Sequence, residues 1–413
     1  MKPGQFFLRA LLPAFLFFSC GENKTQDVGA VENYPTSQLT DSVKKQFTSL
    51  VDNNYLKEDS GMVAMAVYLK RGDELLVDTT YFFSNNNHPL PNDSTVFQMG
   101  SVTKTFTAAL IARQVNQGNM DLNGLAQNYL PAAGTVPVPK IPDTYNGQKA
   151  GITLGQLATM NAGLARNAPV KDGSTPYLFA FKYMDKNPPL LYQPGSTCYI
   201  YSNLGFGILG LALCSQAYPN SATYYDNYEK VVVDSLLVPL AMNDTRITLN
   251  AAQLSRRAVP YDSKGNRSGY NNPNWPMNYA AGALYSTLSD MQRYAKEMIG
   301  QGSYLTKQDI DTLLQKRSFE WSDTCKAKKD HYSSQQAMAW IINNDMKDNN
   351  GAAFERFSKD GGLGGFSTYI TCSTPSIKGV QYKAYVVLWA NKQDFPVGAN
   401  AKKVMQLAYS LLK

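Results

Sequence analysis

Histidine is nearly missing from this chain: 413 residues contain only His88 and His331. That scarcity excludes most histidine-built metal centres and leaves little room for a catalytic triad that relies on imidazole. No Cys-x-x-Cys pair occurs, so thiol redox catalysis and zinc ribbons lack their ligand spacing. A Gly-x-Ser-x-Gly nucleophile elbow is also absent. Charge of one sign is scarce: the net balance is +7, part of it from Lys2 and Arg9, which is too thin for a nucleic-acid surface. Beyond the N-terminus no stretch reaches about 18 apolar residues, so no membrane-spanning helix is expected. What remains is globular in composition, 44% hydrophobic and 17% charged, which excludes disorder and collagen-like structure.

The N-terminus reads as an address. Lys2 and Arg9 flank an interrupted apolar run from Phe6 to Phe18, and Ser19, Cys20 and a polar stretch follow. Residues 1–19 are expected to be a secretory signal peptide. Cys20 after a small residue resembles a lipoprotein cleavage site, so Cys20 is the expected lipidation point, although an ordinary cleaved signal would look similar. Residues 20–44 would form a lipid-anchored polar tether. The chain is then expected to be exported, as a periplasmic or outer-membrane lipoprotein. Cys198, Cys214, Cys325 and Cys372 remain, and an oxidising compartment permits three full pairings or free thiols.

Residues 45–413 are expected to form one α/β (α+β) domain. Residues 62–70 and 74–82 read as a hairpin around Arg71-Gly72-Asp73. Residues 102–117 read as a helix, with Ser101 as a plausible cap and Gly118 as its stop. Further helical segments fall near 153–160, 204–217, 223–236, 286–299 and 397–412. Residues 336–343, 366–373 and 382–390 read as strands. Strands at both ends with helices between them predict one sheet, from about 45–100 and 331–413, around a helical region at about 101–330.

Three short motifs carry the chemistry. In Ser101-Val102-Thr103-Lys104, the i,i+3 spacing places a hydroxyl and an amine on one helical face. A serine is a weak nucleophile until a base takes its proton, and a lysine serves as base only if its pKa is lowered. Ser42–Lys45 and Ser410–Lys413 fit the same pattern, but only Ser101 follows an apolar-then-glycine approach to a long helix. In Tyr201-Ser202-Asn203, a phenol beside lysines can act as a general base, and an amide can orient both lysine and substrate. In Lys359-Asp360-Gly361-Gly362, a cation precedes small residues that let a strand edge lie against substrate.

The order Ser-x-x-Lys, Tyr-x-Asn, Lys-x-Gly resembles the penicillin-recognising serine hydrolases. Within them it is similar to the class C β-lactamase family, which includes DD-peptidases and esterases. The segments Ile152–Leu164, Pro194–Gly210, Ala280–Met291 and Gly361–Ile370 carry further likeness, so that it spans roughly residues 45–413.

The resemblance implies an antiparallel sheet of five to eight strands, with strands from both termini, flanked by helices and carrying an inserted helical domain. It implies Ser101 as the acylated nucleophile, proton transfer shared by Lys104 and Tyr201, and Asn203 as an orienting group. Lys359 would supply a cation, and the backbone N–H groups of Ser101 and Gly362 would form the oxyanion hole. Asn161, Asp360, Gly361 and Gly364 would contribute to substrate binding. No metal or organic cofactor is implied. The expected partners are a D-alanyl peptide, β-lactam or ester, and a membrane through Cys20; the protein is expected to be a monomer without nucleic acid. A DD-peptidase-like role is favoured because a lipid tether holds the domain near cell-wall material. A class C-type β-lactamase, an esterase or D-amino-acid amidase, and a non-catalytic sensor are the alternatives. Two departures bear on substrate: Asp360 replaces the family's usual hydroxyl residue, and Thr159-Met160-Asn161-Ala162-Gly163 alters a pocket wall. Tyr199, Trp275 and Tyr279 are aromatic candidates for the cleft, with core packing as the ordinary alternative.

Overall fold

The computed structural model describes residues 25–27, 38–52, 61–85, 89–132, 136–168, 176–270, 279–316, 335–348 and 350–410. The expectations for Cys20, His88, Trp275, Cys325, His331 and the signal peptide lie outside the described residues.

The main sheet is built from β1 (Thr25–Asp27), β2 (Met62–Arg71), β3 (Glu74–Ser84), β4 (Gln335–Gln336), β5 (Ile341–Lys347), β6 (Ala353–Leu363), β7 (Phe366–Ser373), β8 (Ser376–Ile377) and β9 (Val380–Ala390). Their spatial order is β1-β3-β2-β9-β7-β6-β5-β4, with β8 paired to β9, so among the described residues nine strands replace the expected five to eight. All pairings are antiparallel except β1 with β3. The β2–β9 pairing joins the two ends of the chain at the centre of the sheet, with Val67 opposite Val386.

Burial on both faces explains the apolar run of β2. Ala64, Ala66 and Tyr68 enter the large core under the helical region, while Val63, Met65, Val67 and Leu69 enter a smaller core on the other face. Side chains alternate along a strand, so a strand covered on both sides cannot show a polar stripe. The smaller core is closed by α1 (Gln38–Asp52), through Val43 and Phe47, and by the C-terminal helix, through Ala401, Val404 and Met405. Helix α1 begins inside the range read as a tether, and β1 pairs with β3 in that same range.

Helix α2 (Thr103–Asn116) runs through the large core and is buried along most of its length. Gly118 ends it as expected, with φ +78°. Helices α3 (Asn203–Ala217) and α4 (Leu288–Met298) pack in the same core. Each has a side-chain N-cap: Ser202 accepts from Gly205 N, and Thr287 accepts from Asp290 N. The segment expected as helix at 223–236 is instead a 3₁₀ turn, a short α-helix and a π-helical turn in succession. Among the described residues no helix is long and apolar enough to cross a membrane.

One strand expectation needs correction, and one strand was not expected. The run 336–343 is not one strand: Ala337 N bonds Trp340 O, and Ala339 has φ +65°. Its N–H groups turn away from the sheet, Met338 to Leu313 O and Ala339 to Ala158 O, so tertiary bonding breaks the run. Conversely, Ala353–Leu363 is a strand although charge and glycine weaken its β propensity. It pairs with β7 along Phe357–Leu363 and with β5 only up to Ser358, so the stretch from Lys359 onward has neighbours on one side only.

Candidate active site

The three motifs meet where the edge of β6 crosses the start of α2. Ser101 lies in a 3₁₀ turn, Gly100–Val102, that runs directly into α2. It does not cap the helix; the N-cap position is Val102, with no side-chain cap bond. The Ser101 hydroxyl is thereby left for Lys104, whose Nζ lies 3.2 Å away. Gly100 has φ +52°, and a Cβ there would stand 2.9 Å from Gly362 N. The main chain of Gly362 thus lies against the turn that presents Ser101.

Lys104 is fully buried. Its Nζ also donates to Asn203 Oδ1 at 2.7 Å and to Ala281 O at 2.6 Å. Three acceptors match the three N–H bonds of an ammonium. Burial nevertheless lowers its pKa to about 8, helped by the Lys359 cation and opposed by Tyr201 and Asp360. Tyr201 sits among three cations. Lys104 Nζ, Arg166 Cζ and Lys359 Nζ lie 4.8, 4.8 and 5.4 Å from its ring centre. Burial alone would raise the phenol, but Lys104 and Lys359 outweigh it and hold its pKa below the ordinary tyrosine value.

Lys359 turns back on its own motif. Its side chain is 2% exposed, and Nζ donates to Asp360 O at 2.6 Å and to Asp360 Oδ1 at 2.8 Å. The Asp360 side chain is 60% exposed, and Lys359 holds its carboxyl below the ordinary range. Asp360 therefore lies against Lys359 and compensates the third-motif cation.

The other expected site residues divide. Gly361 is a packing glycine, since a Cβ on it would meet Met99 O at 2.0 Å. Gly364 and Gly365 form the two-residue turn between β6 and β7, with φ +58° and +88°. Asn161 is buried within its own loop: its Oδ1 accepts from Thr159, and its backbone bonds Gln156 and Gly195. It shows no bond to the Ser101 cluster. Tyr199 donates to Met160 Sδ at 3.1 Å, and Met160 has φ +60°. Tyr279 is partly buried against the large core. Cys198 is disulfide-bonded while Cys214 and Cys372 are free and buried, so no two described cysteines pair with each other.

Sequence reasoning missed four contributors. Ser202, the middle of the second motif, caps α3 and donates to Ala165 O at 2.8 Å, which fixes both flanking residues. Ala281 contributes only a carbonyl, which no side-chain pattern reveals. Arg166 O accepts from Asn203 N at 2.8 Å and from Leu204 N at 3.2 Å. Asn203 Nδ2 donates to Asn167 Oδ1 at 2.8 Å, extending the Lys104–Asn203 contact to the exposed surface. The Ala165-Arg166-Asn167 run carries no motif and is found only through its contacts.

The family model for β-lactamase matches residues 45–409. The chain belongs to the β-lactamase family, and it is a serine hydrolase of that family. Among its relatives is the D-alanyl-D-alanine-carboxypeptidase/endopeptidase AmpH of Escherichia coli (strain K12). It is 26% identical over 320 residues, covering 75% of this chain and 76% of that protein. A β-lactamase of Pseudomonas fluorescens is 31% identical over 189 residues, covering 45% of this chain and 46% of that protein. In fold, the chain resembles a solved class C β-lactamase with a TM-score of 0.68 at 19% identity, covering 93% of this chain and 99% of the other. A β-lactamase/D-alanine carboxypeptidase from Yersinia pestis gives 0.64 at 22% identity, covering 90% and 99%. The expected class C β-lactamase-like fold is therefore found.

Proposed function

We propose that the protein is an extracytoplasmic DD-peptidase-type hydrolase that forms an acyl-enzyme on Ser101. The observation that carries this reading is the Lys104 ammonium, buried, lowered to about 8 and placed 3.2 Å from the Ser101 hydroxyl. In its neutral form Lys104 accepts the serine proton as Ser101 attacks a carbonyl, and the adjacent Tyr201 shares that proton transfer. The developing oxyanion is received by the N–H groups of Ser101 and Gly362. Asn203 holds Lys104 in place during the transfer. Tyr201, as phenolate, then activates the water that releases the acyl group.

The name of the Escherichia coli relative supports a D-alanyl peptide as substrate. A lipidated Cys20 would hold the domain outside the cytoplasmic membrane and beside such peptides. The test is to follow intact mass while the soluble domain is incubated with a penicillin, and to assay D-alanine release from a D-alanyl-D-alanine peptide. A lasting adduct lost in Ser101→Ala, together with D-alanine release, supports the peptidase. Rapid Ser101-dependent destruction of the penicillin supports a β-lactamase instead. Hydrolysis of esters alone, with neither activity, supports the esterase alternative.

A further inference from the structure

Two cations besides Lys104 approach the Tyr201 ring, and they differ in availability. Lys359 is 2% exposed and committed to the Asp360 carbonyl and carboxylate. Arg166 is exposed. Its guanidinium carbon lies 4.8 Å from the Tyr201 ring centre, and it forms no ion pair among the described residues. An arginine held over an aromatic ring still has N–H donors to offer a carboxylate.

The backbone beneath Arg166 is firmly held. Ala165 O accepts from the Ser202 hydroxyl, Arg166 O accepts from Asn203 N and Leu204 N, and Asn167 Oδ1 accepts from Asn203 Nδ2. Each of these donors belongs to the second motif or the first turn of α3. The guanidinium is therefore presented from a backbone fixed to the catalytic cluster. Around Tyr201, among the described residues, the cations Lys104, Lys359 and Arg166 face the single carboxylate of Asp360, and that carboxylate is already paired. The local field favours an anion, and Arg166 is the cation able to meet one.

We propose that Arg166 is a specificity-determining residue that binds a carboxylate of the substrate, so that the site prefers anionic acyl donors. This deepens the hydrolase reading and rests on it. A peptide carrying a free side-chain carboxylate, or a dicarboxylic monoester, has the required chemistry.

The experiment compares a matched ester pair, p-nitrophenyl hydrogen glutarate and p-nitrophenyl butyrate. The expected result is that the ratio of kcat/KM, anionic over neutral, falls at least tenfold in Arg166→Ala. It should be partly restored in Arg166→Lys and reversed in Arg166→Glu. Circular dichroism and Tm establish that each variant folds. A second arm measures glutarate binding by calorimetry in Ser101→Ala and in Ser101→Ala/Arg166→Ala. Affinity should drop about tenfold in the double variant and weaken with added salt in the single one. Ester hydrolysis with an unchanged ratio overturns the proposal and leaves the hydrolase reading standing. Absent hydrolysis with Arg166-dependent glutarate binding does the reverse. Binding that ignores Arg166 overturns the proposal whatever the activity.

Discussion

A Cβ on Gly361 would stand 2.0 Å from the carbonyl oxygen of Met99 and 3.1 Å from Val102 N, so β6 touches the Ser101 turn main chain to main chain. Both neighbours are backbone atoms and cannot swing aside. Gly361→Ala must push the strand off the turn, with a loss of ~1–3 kcal/mol of stability from overpacking. Activity should fall on the order of 100-fold, because a shift of about 1 Å at the reacting centre costs that much. At Gly362 the same atom would meet nothing nearer than Phe366 O at 3.8 Å, so Gly362→Ala should lose far less. Denaturation midpoints and kcat/KM for the two variants check this; equal losses would show that the contact does not set the site.

The rate of Ser101 acylation should rise with pH along a limb whose apparent pKa lies near 8. The limb belongs to the coupled Lys104–Tyr201 pair rather than to either group. The active form is the deprotonated one, so a lowered pKa enlarges it at neutral pH. With Lys104 at about 8 instead of 10.5, its neutral fraction at pH 7 is about a tenth rather than ~0.03%. Single-turnover rates from pH 5.5 to 9.5 test this, and a flat profile would remove Lys104 and Tyr201 from the proton transfer.

Asp360→Asn should move that limb to lower pH. Asp360 raises the pKa of both Lys104 and Tyr201, so removing its charge lowers both. The same change releases Lys359 from its ion pair and removes a repulsion against substrate carboxylates. Acylation by a penicillin should increase on the order of tenfold, with a smaller effect on a neutral ester. A decrease with both substrates would mean that Asp360 serves the chemistry directly.

Ser202→Ala removes the cap of α3 and the donor to Ala165 O. A stability loss of ~1 kcal/mol is expected. Thr287→Ala removes the cap of α4, which lies outside the site, and should cost a similar amount. Only Ser202→Ala should also lower kcat, since its cap holds Tyr201 and Asn203. Parallel melting curves and steady-state kinetics distinguish the two, and matching kcat values would make Ser202 a structural residue alone.

Much of the fold was legible because its signals are local. The hairpin of β2 and β3 announces itself through its turn, and α2 ends at Gly118 where glycine favours positive φ. Ser101, Lys104, Tyr201 and Lys359 were legible as side-chain types at motif spacing. What was hidden depends on tertiary bonding. Ala353–Leu363 becomes a strand because β5 and β7 flank it, and Ala337–Trp340 leaves the sheet to bond the helical region. Ala281 acts through a carbonyl that every residue possesses. Arg166 belongs to no pattern, and Asp360 was visible as a departure although its pairing with Lys359 was not.

The central pairing of β2 with β9 sets an order of events during biosynthesis. Met62 N bonds Asn391 Oδ1 across 329 positions of chain, and Gly361 must arrive before the Ser101 turn is braced. A ribosome finishes Ser101 long before it makes the strands that pack against its turn. Such distant closure makes assembly slow and leaves the half-made sheet exposed. A prematurely terminated chain would hold Ser101, Lys104 and Tyr201 yet lack the edge that completes them, so incomplete copies should be hydrolytically silent.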